Sequence, residues 1–167
     1  NCEKEALLII LKNGGLFVKV SCLPVSFFPL MAGGSMDITD WARVAKKCGL
    51  DGIDLSIVNI KNHTPVYLKE IRKGIEAEGM PVIMIAAYPD FTNPDALQRE
   101  REMEYLRHDI ALVSQLGAKY LRILAGQAHP SVPVDEGIEW VVEFFKKADE
   151  IAGKYGVMLL YEDHSKP

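Results

Sequence analysis

Leu116-Gly117-Ala118-Lys119-Tyr120-Leu121-Arg122-Ile123 closes a helix and opens a strand across a single glycine. Upstream, Asp95 to Leu116 reads as the longest helix of the chain. Its Gln98-Arg99-Glu100-Arg101-Glu102 run forms a solvated face with i,i+4 pairs. Gly117 fits the position after a helix where positive φ is needed, and Tyr120–Ala125 follows as an apolar strand. The same join recurs at Gly49 before Gly52–Val58, at Gly79 before Val82–Ala87 and at Gly156 before Val157–Tyr161. The helices that lead into those glycines start at an Asp37 or Thr39 cap, near Pro65, and near Val134-Asp135. A first strand is expected over Val18–Ser26.

These strands are short and rich in Val, Ile and Leu, with little polar alternation. Strands buried on both faces of a parallel sheet have this composition. Successive strand–helix units imply parallel pairing with right-handed crossovers. Two architectures satisfy that pattern. One is an open doubly wound sheet, complete at five strands; the other is a (β/α)8 barrel, of which five strands and four helices are a little over half. No GxGxxG or P-loop follows the first strand, and Ala32-Gly33-Gly34-Ser35 reads as a flexible loop.

The chain has 167 residues, 49% hydrophobic and 25% charged, which suits one globular domain and is too short for two ordinary ones. Its net charge of −4 gives no electrostatic reason to expect nucleic acid. Three cysteines without a CxxC spacing read as reduced thiols in a cytoplasmic protein. No apolar run approaches a membrane span, and Ala6–Leu11 lacks the basic flank of a signal peptide. Residues 1–15 read as an upstream or appended segment, with the domain proper over 16–167.

In both architectures ligands bind at the carboxyl ends of the strands. Phe27-Phe28-Pro29 follows the first strand, and His63 lies in the loop after the second. Tyr88-Pro89-Asp90 follows the third, Gln127-Ala128-His129 the fourth, and Glu162-Asp163-His164 the fifth. Three of the four histidines therefore fall on one rim; His108 falls within the long helix. Glu162 is the sharpest candidate, because a carboxylate ending an apolar strand costs on the order of several kcal/mol unless a cation or donor offsets it. That partner is either a metal or substrate, or Arg122 or a lysine in a structural ion pair. His63 and His129 either touch ligand or hydrogen-bond backbone. Tyr88 and Phe28 are wall residues, and Arg122 and Asp54, polar within strands, need partners of their own.

Met36–Trp41, Cys48–Leu55, Leu116–Ile123 and Leu159–His164, in that order and spacing, carry a resemblance. Over residues 18–167 the chain resembles the xylose isomerase-like TIM-barrel superfamily, specifically its sugar phosphate isomerase/epimerase group. The resemblance implies a partial (β/α)8 barrel and a divalent metal, Mn²⁺, Mg²⁺, Co²⁺ or Zn²⁺, held by the glutamate that ends strand five, here Glu162. In such proteins an aspartate, a histidine and a second glutamate from strands six to eight complete the site; Asp163 and His164 are not substitutes for them.

The expectation is thus the N-terminal part of a metal-dependent sugar or sugar-phosphate isomerase/epimerase. Glu162 is its metal ligand and catalytic group, and His63, Tyr88, Gln127 and His129 are its substrate-binding residues. The partner is a small sugar, with neither nucleic acid nor membrane involved. Alone, the chain is expected to be marginally stable and inactive, with homo-oligomers forming through open sheet edges. The alternatives are a non-catalytic five-stranded binding module and a zinc-dependent endonuclease IV-like enzyme.

Overall fold

Asp37 sets the first long helix. Its carboxylate accepts the Asp40 N–H at 2.8 Å, and the Asp40 carboxylate accepts the Asp37 N–H at 3.1 Å, a reciprocal capping box. The computed structural model describes residues 18–163; the segment over 1–15 lies outside them, as does His164. In chain order the elements are β1 (Ser21–Cys22), α1 (Phe28–Ala32), α2 (Ile38–Lys47), β2 (Gly52–Ser56), α3 (Pro65–Ala77), β3 (Val82–Ala86), α4 (Ala96–Leu116), β4 (Tyr120–Ile123), α5 (Val134–Lys154) and β5 (Met158–Tyr161). The four glycines expected to stop helices all have positive φ, between 67° and 78°.

The strands pair in parallel in the order β1-β2-β3-β4-β5. A doubly wound sheet reverses its strand order at a switch point. This one runs in a single direction, as a barrel does, so the doubly wound alternative falls and a partial (β/α)8 barrel stands.

Every strand is shorter than the sequence reading, by one residue in β3 and β5 and by more in the others. β1 holds two residues rather than the expected Val18–Ser26. Pro24 has no N–H to give the ladder, and a 3₁₀ turn over Val25–Phe27 begins there. α1 then forms with Pro29 in its first turn, a short helix where a loop was expected. β2 ends at Ser56 and β4 at Ile123, ahead of the expected Val58 and Ala125. Apolar composition continues past the last ladder bond in both.

Alternation sorts the sheet into two faces. Ile53, Leu55, Ile85, Leu121 and Ile123 are fully buried and join the core with Leu68, Leu106, Ile110 and Phe144 from the helices. The opposite, inner face carries Ser21, Asp54, Ser56 and Arg122. Gly52 permits close packing of β2 on β3, since a Cβ there would meet the Ile83 side chain at 2.5 Å. At the far end, Phe91 stacks on Phe144 at 4.8 Å, and Phe145 meets Tyr161 edge-on at 5.3 Å, fastening α5 to β5. No pairing joins β5 to β1. Val18 and Val20 on one flank, and Met158 and Tyr161 on the other, are exposed.

Candidate active site

Ladder register builds a row of inner-face positions: Ser56 lies opposite Ala86, Ala86 opposite Arg122, and Arg122 opposite Leu160. Tyr88 and Glu162 stand two residues beyond their members of that row, at the carboxyl ends of β3 and β5. Glu162 Oε2 accepts from Arg122 Nε at 2.7 Å. The Arg122 side chain is 11% exposed and that of Glu162 44%, so the carboxylate reaches open space while its partner is held in the wall. The guanidinium lies 5.4 Å from the centre of the Tyr88 ring, and the Tyr88 hydroxyl is 3.2 Å from Ser56 Oγ. Arg122 Nη1 is buried without a hydrogen bond among the described residues.

Below this row sits Asp54, 7% exposed. Its Oδ2 accepts from Ser21 Oγ at 3.0 Å, while its Oδ1 is buried without a hydrogen bond among the described residues. Burial raises its pKa, partly offset by Ser21 and by the Met84 N–H. A second carboxylate, Asp90, binds the two loops that follow β3 and β4. Its Oδ2 is 2.8 Å from His129 Nε2, and its Oδ1 takes the Gln127 N–H at 3.0 Å and faces the Thr92 hydroxyl at 2.9 Å. Burial opposes ionisation of Asp90, but Gln127, His129 and Thr92 together hold its pKa below the ordinary value. Gly126, at φ 145°, lets the loops touch, because a Cβ there would collide with Thr92 and Asp90.

The structure places the expected site residues in three groups. Tyr88 and Glu162 meet through Arg122 on the inner face. Gln127 and His129 sit with Asp90 and Thr92 at the rim, and they border an apolar cavity of about 530 Å³ against α5 and Tyr161. Tyr161 lies on the helix side of β5, so this cavity does not open toward Glu162. His63 is exposed and belongs to neither group; it lies where it pulls down the pKa of Asp109 on α4. Sequence reading missed Ser56, Thr92 and the role of Asp90. Ser56 had a signal, because it falls two residues after Asp54 and therefore on the same face. Thr92 had none, since its contacts arise from a crossing loop.

Among the described residues no three His, Cys, Asp or Glu side chains cluster as a metal site. The donor chemistry fits a divalent cation in one respect: Glu162 carries carboxylate oxygens, the hard donors such cations prefer, at a strand end on the inner face.

A parallel sheet wound in one direction, with polar residues converging on the strand ends of its inner face, has the architecture of part of a TIM barrel. The chain belongs to the xylose isomerase-like TIM barrel family, whose family model matches residues 42–167. A search of the curated proteins finds no significant match by sequence. Among solved structures the chain is similar to 3-keto-D-glucoside 4-epimerase, YcjR, from E. coli, at 15% identity and TM-score 0.65, over 75% of this chain and 50% of that one. It is similar to D-psicose 3-epimerase from Clostridium cellulolyticum H10 at 13% identity and TM-score 0.67, over 74% and 46%. It is also similar to AsbF of Bacillus anthracis, a probable 3-DHS dehydratase, at 19% identity and TM-score 0.69, over 88% and 53%. The chain thus spans about half the length of the solved structures it matches.

Proposed function

We propose that this chain supplies the first five strands of a metal-dependent sugar or sugar-phosphate isomerase/epimerase. One observation carries the reading. In a xylose isomerase-like barrel, Glu162 follows β5 on the inner face and is held there by an arginine whose side chain is mostly covered. A bound Mn²⁺, Mg²⁺, Co²⁺ or Zn²⁺ would supply Lewis-acid polarisation of the substrate carbonyl. Glu162 would be one ligand, and its carboxylate would move the proton on the carbon next to that carbonyl, through an enediolate. Tyr88 walls the same space. Gln127 and His129 present polar groups at the rim to sugar hydroxyls, with Asp90 fixing the His129 ring; His63, exposed and apart from both groups, has no part in this reading. The two sugar epimerases among the structural neighbours support the substrate class.

The partner in this reading is a small sugar. The net charge of −4 gives no electrostatic reason to expect nucleic acid and so favours this reading over the endonuclease alternative, and no helix among the described residues is long and apolar enough to cross a membrane. Exposed free Cys22 and Cys48 suit a reducing cytoplasm. The test is Glu162→Gln in a full-length family member carrying these residues. Epimerisation or isomerisation of free and phosphorylated ketoses should fall by at least about a thousandfold. Activity near wild type would remove Glu162 from the chemistry. Unchanged activity after thorough chelation would remove the metal.

A further inference from the structure

A line of inner-face side chains crosses four strands: Ser56 on β2, Tyr88 after β3, Arg122 on β4 and Glu162 after β5. We infer that Tyr88 and Arg122 are positioning residues, and that this line sets the direction of the Glu162 carboxylate before any ligand arrives. The inference rests on the proposed role of Glu162 and adds to it how the group is aimed.

The geometry works link by link. Ser56 is fully buried in a strand with neighbours on both sides, so its hydroxyl is a fixed point. The Tyr88 hydroxyl meets it at 3.2 Å, which fixes the tilt of a ring whose remainder is partly exposed. The Arg122 guanidinium stands 5.4 Å from that ring's centre. A guanidinium is planar, so fixing its plane fixes the direction of its Nε–H bond. That bond points at Glu162 Oε2 from 2.7 Å. A lysine would supply the charge without the direction.

Nη1, buried without a hydrogen bond among the described residues, bears on this as well. An arginine placed only for stability would engage its buried donors, since leaving one unmade is costly. Here the guanidinium keeps an orientation that serves Nε.

The experiment follows the Arg122 Nε–H directly, by proton exchange in the ¹⁵N-labelled chain, with the signal assigned by its loss in Arg122→Lys. Slow exchange is expected in the wild type. Tyr88→Leu should speed it by about tenfold or more, and Tyr88→Phe, which keeps the ring and loses the Ser56 bond, by less. Tyr88 is partly exposed, so both variants should fold, and an unchanged amide spectrum elsewhere verifies it. In a full-length family member carrying these residues, Tyr88→Leu should lower kcat by about 10- to 100-fold with KM little changed, and Phe should restore most of the loss. Exchange unaltered in Tyr88→Leu overturns the inference, and so does a loss confined to KM. Failure of the underlying role is a separate result: Glu162→Gln retaining activity while the Nε–H remains protected in the wild type.

Discussion

Asp109 is the residue whose ionisation the fold disturbs most visibly. Burial pushes its pKa up to about 6, against smaller pulls downward from His63 and His108 and a push upward from Glu102. It lines a cavity of about 190 Å³ beside Tyr88, Tyr105 and Glu102. Because the folded pKa lies above the unfolded one, this group's stabilising contribution is complete below about pH 4. It is lost as pH rises through about 6. Asp109→Asn should therefore narrow the difference in melting temperature between about pH 4.5 and pH 7.5, with the variant gaining most at the higher pH. An unaltered pH dependence would show that Asp109 titrates normally. Asp54 is shifted in the same direction by its own burial. Its partner Ser21 holds the very short β1 against β2, so Ser21→Ala should loosen that edge strand first. Faster amide exchange at Cys22 than at Leu121 would show this.

At the scale of elements, the joins decide. Each helix that runs into a positive-φ glycine and then an apolar strand was legible because glycine, apolar runs and caps are local signals, although β5, at the sheet edge, is exposed at both ends rather than buried. The Asp37 cap, Gly117 and the 21-residue α4 all fell where those signals put them. What sequence could not show was set by neighbours. β1 shrank to two residues because Pro24 ends its ladder, and α1 formed in a stretch that reads as a loop. Glu162 was legible as a strand-end carboxylate, with Arg122 named as one possible partner. That Tyr88 and Ser56 complete the line depends on register across three strands, which no spacing encodes. The rim cluster is similar, because Gly126 matters only where the two loops cross. Gly126→Ala should cost about 1–3 kcal/mol, read as a lowered urea midpoint, with His129 released from Asp90. A neutral result would mean that the loops separate easily. Leu106→Ala, at the centre of the packing beneath α4, should cost about 2–5 kcal/mol by the same measurement.

Across the whole molecule, the sheet has two flanks that do not meet. Apolar side chains at Val18 and Val20 on one, and Met158 and Tyr161 on the other, are exposed, and Tyr161 also borders the cavity against α5. Unpaired strand edges with apolar neighbours favour association. This chain is expected to show concentration-dependent oligomers by light scattering after size exclusion. A monomer with a sharp cooperative melt would contradict that. The central claim concerns Glu162, and isotope exchange from solvent tests it most directly. A full-length family member carrying these residues is incubated in D₂O with Mn²⁺ and a ketose, and deuterium at the carbon next to the carbonyl is followed by NMR. The account predicts steady incorporation by the wild type and loss of at least about a thousandfold in Glu162→Gln. Incorporation by Glu162→Gln at the wild-type rate would contradict it.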